Sequence, residues 1–110
     1  MSVQVPVEEI AGAAGDYGDA AYVLISAIDG PPRITHSMVQ FDSGDIVVSV
    51  GQRAASALAA NPQVSVLWPA TAAQSMSLIV DGVASAGAPN EGGEVRISPT
   101  GAVRHRPASG

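Results

Sequence analysis

The feature that most constrains the fold is a succession of short runs rich in Val, Ile and Leu, separated by turn residues. These runs cover residues 22–28, 34–41, 46–50, 63–68, 77–85, 95–98 and 102–106. Runs of this length and composition, bounded by Gly, Pro, Asn and Asp, are typical of β-strands. We therefore predict a mainly β fold, a small antiparallel barrel of about six or seven strands, in which closure removes exposed sheet edges.

Turn residues and two short helical segments divide these runs. The segments Asp29 to Pro32 and Asp42 to Asp45 have the composition of tight turns. Within residues 34–41 the alternation of apolar side chains is imperfect, and Asp81-Gly82 interrupts the run at 77–85, so both places indicate a bulge or bend. We predict helices at residues 7–14 and 53–60, the second because Ala favours helix and Asn61-Pro62 ends it.

The length sets the domain organisation. With 110 residues, the chain suits a single domain, in which residues 1–19 form an N-terminal helix and turn and residues 107–110 a flexible tail. No apolar run approaches the roughly 18 residues that a membrane-spanning helix needs, and no signal-peptide pattern opens the sequence. We expect a cytoplasmic protein without membrane contact.

Charge and the missing residue types exclude several function classes. The formal net charge is −5, and all five basic residues other than His are arginines, so nucleic-acid binding is not expected. There is no Cys, and the two His are not accompanied by clustered carboxylates, so no metal site is expected. Many Ser are present, but no Gly-x-Ser-x-Gly motif, so the sequence does not support a hydrolase.

The best candidate for a binding site is the point at which a predicted strand is followed by Gly51 and then by a short helix. A helix start presents unpaired backbone N–H groups and the positive end of the helix dipole, and Arg53 in the first turn can hold a phosphate through two hydrogen bonds. The alternative is that Gly51 only turns the chain and Arg53 is solvated on the helix surface.

Two other groups of polar residues stand out. On the run at 34–41, Thr35 and Ser37 share one face and His36 points to the other, and a single His on a strand is more often a surface residue than a catalyst. The basic stretch of residues 104–106 closes over a partner subunit's anionic ligand or forms a solvated tail; the sequence favours neither.

Several local strings resemble the pyridoxamine 5'-phosphate oxidase-like, flavin-binding split-barrel superfamily. They are residues 21–26 (AYVLIS) followed by Gly30 and Pro32, residues 45–53 (DIVVSVGQR), residues 58–67 (LAANPQVSVL) and residues 80–84 (VDGVA). The helix that ends in Asn61-Pro62 and leads into a strand is the most specific of them. The resemblance spans roughly residues 20 to 86.

The resemblance implies a split β-barrel homodimer whose interface holds FMN or, in related branches, a deazaflavin coenzyme. The phosphate would lie near Ser49, Gly51, Gln52 and Arg53. The isoalloxazine ring would lie along the strand that carries Thr35, His36, Ser37 and Gln40, and Ser77 would contribute from a later strand.

The chain departs from the family pattern where the true oxidases carry further basic residues. Gln52-Arg53-Ala54 retains one cation at the helix start, and Thr35 and Gln40 replace an Arg and a Lys of the preceding strand. Pyridoxamine phosphate oxidation itself is therefore not expected. The hypothesis is a flavin- or deazaflavin-dependent oxidoreductase with a small-molecule substrate and no catalytic side chain; the alternative is a ligand-binding or assembly module without catalysis and without tight cofactor binding.

Overall fold

The computed structural model describes residues 2–27, 29–86 and 93–107, which form eight strands and two α-helices. The strands are β1 (Ser2–Gln4), β2 (Ala20–Ile25), β3 (Arg33–Met38), β4 (Gln40–Asp42), β5 (Asp45–Val50), β6 (Gln63–Trp68), β7 (Ser77–Ala86) and β8 (Gly93–His105). The helices are α1 (Ile10–Gly15), which follows a 3₁₀ turn at Val7–Glu9, and α2 (Gln52–Ala60). None of the helices in the described ranges has the length and hydropathy needed to traverse a lipid bilayer.

All strands belong to one antiparallel sheet that curls into a split barrel. Its order is β3-β2-β6-β7-β8-β5-β4, and β1 pairs with the far end of β8. The barrel is split between β3 and β5, where a side chain replaces part of the backbone ladder. The Ser37 hydroxyl accepts the N–H of Ser49 at 3.2 Å and has the carbonyl oxygens of Met38 and Ser49 within 2.9 and 3.3 Å.

The core lies inside the curl and is built from aliphatic side chains, with few aromatic rings. Strand alternation turns Val64, Val66 and Trp68 of β6 inward, and Trp68 stacks at 6.2 Å on Phe41. Helix α2 covers one opening with Leu58 and three buried alanines, and burial of the Leu58 side chain contributes about 1.5 to 3 kcal/mol. Small Ala side chains let the helix backbone approach the sheet closely.

Most predicted elements are confirmed. The strand at 63–68 has the predicted bounds, α2 begins one residue before the predicted helix, and the N-terminal helix is present as the 3₁₀ turn followed by α1. The hairpin between β4 and β5 turns through Ser43 and Gly44, both with positive φ, as a tight two-residue turn requires. The bulge at Asp81-Gly82 is confirmed by a register shift, because β8 has one extra residue there.

Other predictions need correction. The strand predicted at 34–41 is divided at Val39, so that β3 pairs with β2 whereas β4 pairs with β5. The strands predicted at 95–98 and 102–106 are one strand, because the bulge accommodates Pro99 and Gly101 without ending it. The strand predicted at 22–28 occupies Ala20–Ile25, and its last predicted residue, 28, lies outside the described residues, as do residues 87–92 and residues 108–110 of the predicted tail.

Candidate functional site

The split of the barrel opens into a cavity of about 570 Å³, which we call the arginine cleft. One wall is formed by the turn before β3 and the start of that strand, including Arg33 and Thr35. The other wall is Gly51 and the first turn of α2, including Arg53. The cleft lies beyond the Ser37–Ser49 contact, where the ends of β3 and β5 are no longer joined by that hydroxyl.

The helix end in this cleft has the features of an anion site. Gly51 has an extended conformation, and the first hydrogen bond along the helix runs from the N–H of Ala55 to the carbonyl oxygen of Gly51, at 2.9 Å. Gly51 at the N-cap has no side chain that could cap the helix, so the N–H groups of the first turn gain no hydrogen bond from their own N-cap residue and can bind solvent or a ligand. A phosphate placed here would also meet the positive end of the helix dipole.

Two arginines, Arg33 and Arg53, are among the residues that line the cleft, one from each side of the split. Within the described ranges, the ion pairs are those of Arg96 with Asp42 and Asp45, so neither Arg33 nor Arg53 is engaged by a carboxylate. The Asp29 carboxyl is also in the lining, which leaves one net positive charge on a chain whose formal charge is −5. The lining of the cleft is therefore positively charged, although the protein as a whole is acidic.

The cleft includes four of the nine residues expected at the cofactor site, Thr35, Gly51, Gln52 and Arg53. It also includes Arg33, to which the resemblance to the family assigns no role at the cofactor site. The signal for Arg33 was present in the sequence, since basic residues are scarce and this one follows a double proline. The structural consequence is that the cleft holds two cations, although the helix start provides only one.

The other five expected residues lie outside the cleft lining. Ser37 and Ser49 are joined to each other across the split, and Gln40 is exposed on β4. The ring of His36 stacks on Tyr22 at 4.4 Å, on the outer face of the sheet. Ser77 accepts the N–H of Ala70 at 3.3 Å in the loop before β7.

The basic residues near the C-terminus also have a definite place. Arg104 and His105 are part of β8 and pair with β1, where the Ser2 hydroxyl lies 3.1 Å from Nδ1 of His105. The solvated-tail interpretation is therefore wrong for these two residues, because β1 provides a pairing partner that the sequence did not indicate.

The outer surface of the sheet carries an apolar region next to the cleft, which we call the outer apolar face. Its side chains belong to one face by strand register: Tyr22, Leu24, Ile34, Met38, Leu67 and Ile79. Ile34 and Met38 are 64% and 66% exposed. Exposed apolar patches of this kind are typical of surfaces that contact a partner.

Comparison with known proteins identifies the fold. Neither the family models nor the curated protein sequences contain a match to this sequence. Among solved structures, a candidate pyridoxamine 5'-phosphate oxidase from Listeria innocua is 15% identical, with a TM-score of 0.69 over 90% of this chain and 98% of that one. The split-barrel fold that the sequence motifs suggested is thereby confirmed.

Two further structures show how differently proteins with this fold are named. An F420 reductase is 13% identical, with a TM-score of 0.63 over 76% of this chain and 87% of that one. HutZ, a heme storage protein from Vibrio cholerae, is 15% identical, with a TM-score of 0.65 over 91% of this chain and 96% of that one. At such identities the likeness establishes the fold, and function has to be argued from the site.

Proposed function

We propose that the chain is an oxidoreductase that binds FMN or a deazaflavin coenzyme, with the coenzyme phosphate in the arginine cleft and a second copy of the chain completing the site. The observation that carries this proposal is that Arg33 and Arg53 line the same cleft from its two walls, beside a helix start whose N-cap residue, Gly51, has no side chain. The F420 reductase and the oxidase-like neighbour with the same fold support the choice of coenzyme class.

The charge arrangement supports binding of a phosphate. A guanidinium presents two parallel N–H groups to phosphate oxygens, and a hydrogen bond to a charged partner contributes about 1.5 to 3 kcal/mol. Arg33 compensates for the strand cations that Thr35 and Gln40 replace, because it reaches the same cleft from the start of β3. Both arginines are exposed, so screening by solvent and salt lowers their contribution to about 1 to 1.5 kcal/mol each.

The side chains of this protein would bind and orient the coenzyme. When bound, the coenzyme supplies the hydride or electron transfer. The cleft residues hold its phosphate, and Gln52 and Thr35 offer hydrogen bonds beside the arginines. We place the ring along β3 towards Gln40, with His36, Ser37, Ser49 and Ser77 as the remaining candidates for contact. No side chain is assigned as a general acid or base.

The outer apolar face supports the proposal of a second copy of the chain. Covering Ile34 and Met38 would remove apolar surface from water and place the partner next to the arginine cleft, since Ile34 belongs to both. A two-fold interface buries the same patch on both copies, which suits one continuous face. Sedimentation equilibrium is expected to give the mass of two chains.

A ligand-binding module without catalysis is the second candidate. The carboxyl of Asp29 in the lining offsets part of the cationic charge, which weakens the cleft for a phosphate. HutZ, a protein named for heme storage, has the same fold. This candidate predicts a ligand that binds without turnover.

Titration with three ligands separates the candidates. Purified protein, Arg53→Gln and Arg96→Gln are titrated with FMN, coenzyme F420 and hemin, and binding is followed by fluorescence or by the Soret band. Arg96 is outside the cleft lining and paired with Asp42 and Asp45, so its variant controls for the loss of one positive charge. We expect saturable binding of FMN or F420 that Arg53→Gln weakens and Arg96→Gln does not. Absence of binding of both at about 100 μM, or binding of hemin alone, would refute the oxidoreductase proposal.

A further inference from the structure

A second cavity, of about 640 Å³, lies beside the arginine cleft and has the opposite charge. We call it the Asp81 pocket. Its polar lining consists of Ser26, Gln63, Ser65, Asp81 and Thr100, from four different parts of the chain. No Lys, Arg or His is among the described residues that line it. The pocket therefore carries one carboxylate surrounded by uncharged hydrogen-bonding groups.

The β-bulge builds the floor of this pocket. Asp81 pairs with Gly101 and Gly82 with Pro99, so Thr100 is the extra residue of β8 and its hydroxyl donates to the carbonyl oxygen of Asp81 at 3.2 Å. Gly82 permits the close approach of the two strands, because a Cβ there would stand 2.7 Å from Ser98 O. Bulges of this kind re-aim side chains and are frequent beside functional sites.

The carboxylate of Asp81 is oriented but not neutralised. The Ser65 hydroxyl donates to its Oδ1 at 2.7 Å, across the β6–β7 pair, which fixes the plane of the group. Within the described ranges no basic side chain forms an ion pair with Asp81. Its Oδ2 therefore remains as an acceptor for a ligand, in a chain whose acidic character already favours cations.

We propose that the Asp81 pocket binds the ammonium or guanidinium group of a small organic cation that carries no phosphate. The carboxylate would accept a charge-assisted hydrogen bond from the cation, and the hydroxyl groups of Ser65 and Thr100 would offer further acceptors. Leu24 and Val83 give the pocket apolar walls for the body of the ligand. An anionic ligand would meet the carboxylate without any compensating base.

The Asp81 pocket adjoins the arginine cleft. Pro32 lines both cavities, and Leu24 of the Asp81 pocket is the cross-strand partner of Ile34 in the arginine cleft. A coenzyme held by its phosphate in the cleft would thus have the cation beside that phosphate, at the end of β3 away from Gln40. Binding of the cation to Asp81 does not rest on the proposed function.

The test uses three benzyl compounds of nearly equal size on the protein without coenzyme. Benzylammonium, benzyl alcohol and benzoate are titrated into ¹⁵N-labelled protein, and amide shifts are followed by NMR. The variants are Asp81→Asn, which keeps the shape and an acceptor for Ser65, and Glu94→Gln, which removes one negative charge from an exposed position outside the pocket. The titrations are repeated with FMN present.

We expect benzylammonium to shift the amide resonances of Ser65, Asp81 and Thr100 and to bind more tightly than benzyl alcohol. Its affinity should fall by about tenfold or more in Asp81→Asn but not in Glu94→Gln. Equal binding to Asp81→Asn, equal binding of benzoate, or shifts confined to other acidic residues would overturn the proposal. If the protein binds benzylammonium through Asp81 but binds neither FMN nor F420, only the proposed function is refuted, so the two failures are distinguishable.

Discussion

Replacement of Gly82 by Ala tests how the barrel accommodates its bulge. An added Cβ would lie 2.7 Å from Cγ2 of Ile97 and 2.7 Å from the carbonyl oxygen of Ser98. Real Cβ atoms do not approach other heavy atoms so closely, and the oxygen belongs to the backbone of β8, where Ser98 pairs with Val83 of β7. The side chain of Ile97 is fully buried, so it has no free space into which to turn.

The magnitude follows from overpacking. Insertion of a methyl group into a packed site costs about 1 to 3 kcal/mol, and contact with a fixed backbone atom places Gly82→Ala in the upper half, at about 2 to 3 kcal/mol. For a domain of about 100 residues each kcal/mol lowers the melting temperature by about 4 to 8 °C. We expect Tm to fall by about 10 to 20 °C, measured by thermal and urea denaturation followed by circular dichroism.

Gly101→Ala is the matched control. Gly101 lies on the strand opposite the same bulge, but a Cβ there would have nothing within 4 Å, and its φ is not in the left-handed region. We expect its free energy of unfolding to change by less than about 1 kcal/mol. Equal stability of the two variants would refute the argument that close strand approach at Gly82 requires glycine.

Two further predictions concern polar contacts that hold the barrel together. Ser37→Ala removes the acceptor of the Ser49 N–H across the split, so it should lower the free energy of unfolding by about 1 to 3 kcal/mol and speed hydrogen exchange at the Ser49 amide. Ser49→Ala is the control and should have little effect, because the Ser49 side chain is exposed. Arg96 donates to Asp42 at 2.9 Å and to Asp45 at 3.3 Å, and the hydrogen bond to Asp42 raises the pKa of Arg96. Arg96→Gln should therefore lower the urea midpoint slightly at low salt and hardly at all in 1 M NaCl, as measured by urea titrations at the two salt concentrations.

The parts of the fold that the sequence predicts are those set by local chemistry. Pro69 and Asn61-Pro62 bound β6, and Ser43-Gly44 has the residues that a two-residue turn needs. The parts that it misses depend on distant partners. β1 is three exposed residues that form a strand because β8 offers a free edge, and nothing in residues 2–4 indicates that edge.

The candidate site follows the same division. Gly51 and Arg53 are recognisable because a strand, a glycine and a helix are adjacent in sequence. Arg33 is twenty positions away, and its place in the cleft results from the approach of β3 to β5 across the split. The Asp81 pocket likewise combines five segments, so the predicted bulge alone did not reveal it.

The central claim is that a coenzyme phosphate binds between Arg33 and Arg53, and a comparison of FMN with riboflavin tests it most directly because the two differ only in that phosphate. Two exposed guanidinium contacts of about 1 to 1.5 kcal/mol each predict that FMN binds about 30- to 150-fold more tightly at low ionic strength. Changing both arginines to Gln should bring the two dissociation constants together, whereas Arg96→Gln, outside the cleft lining, should keep them apart. Equal affinity of the unaltered protein for FMN and riboflavin would contradict the account.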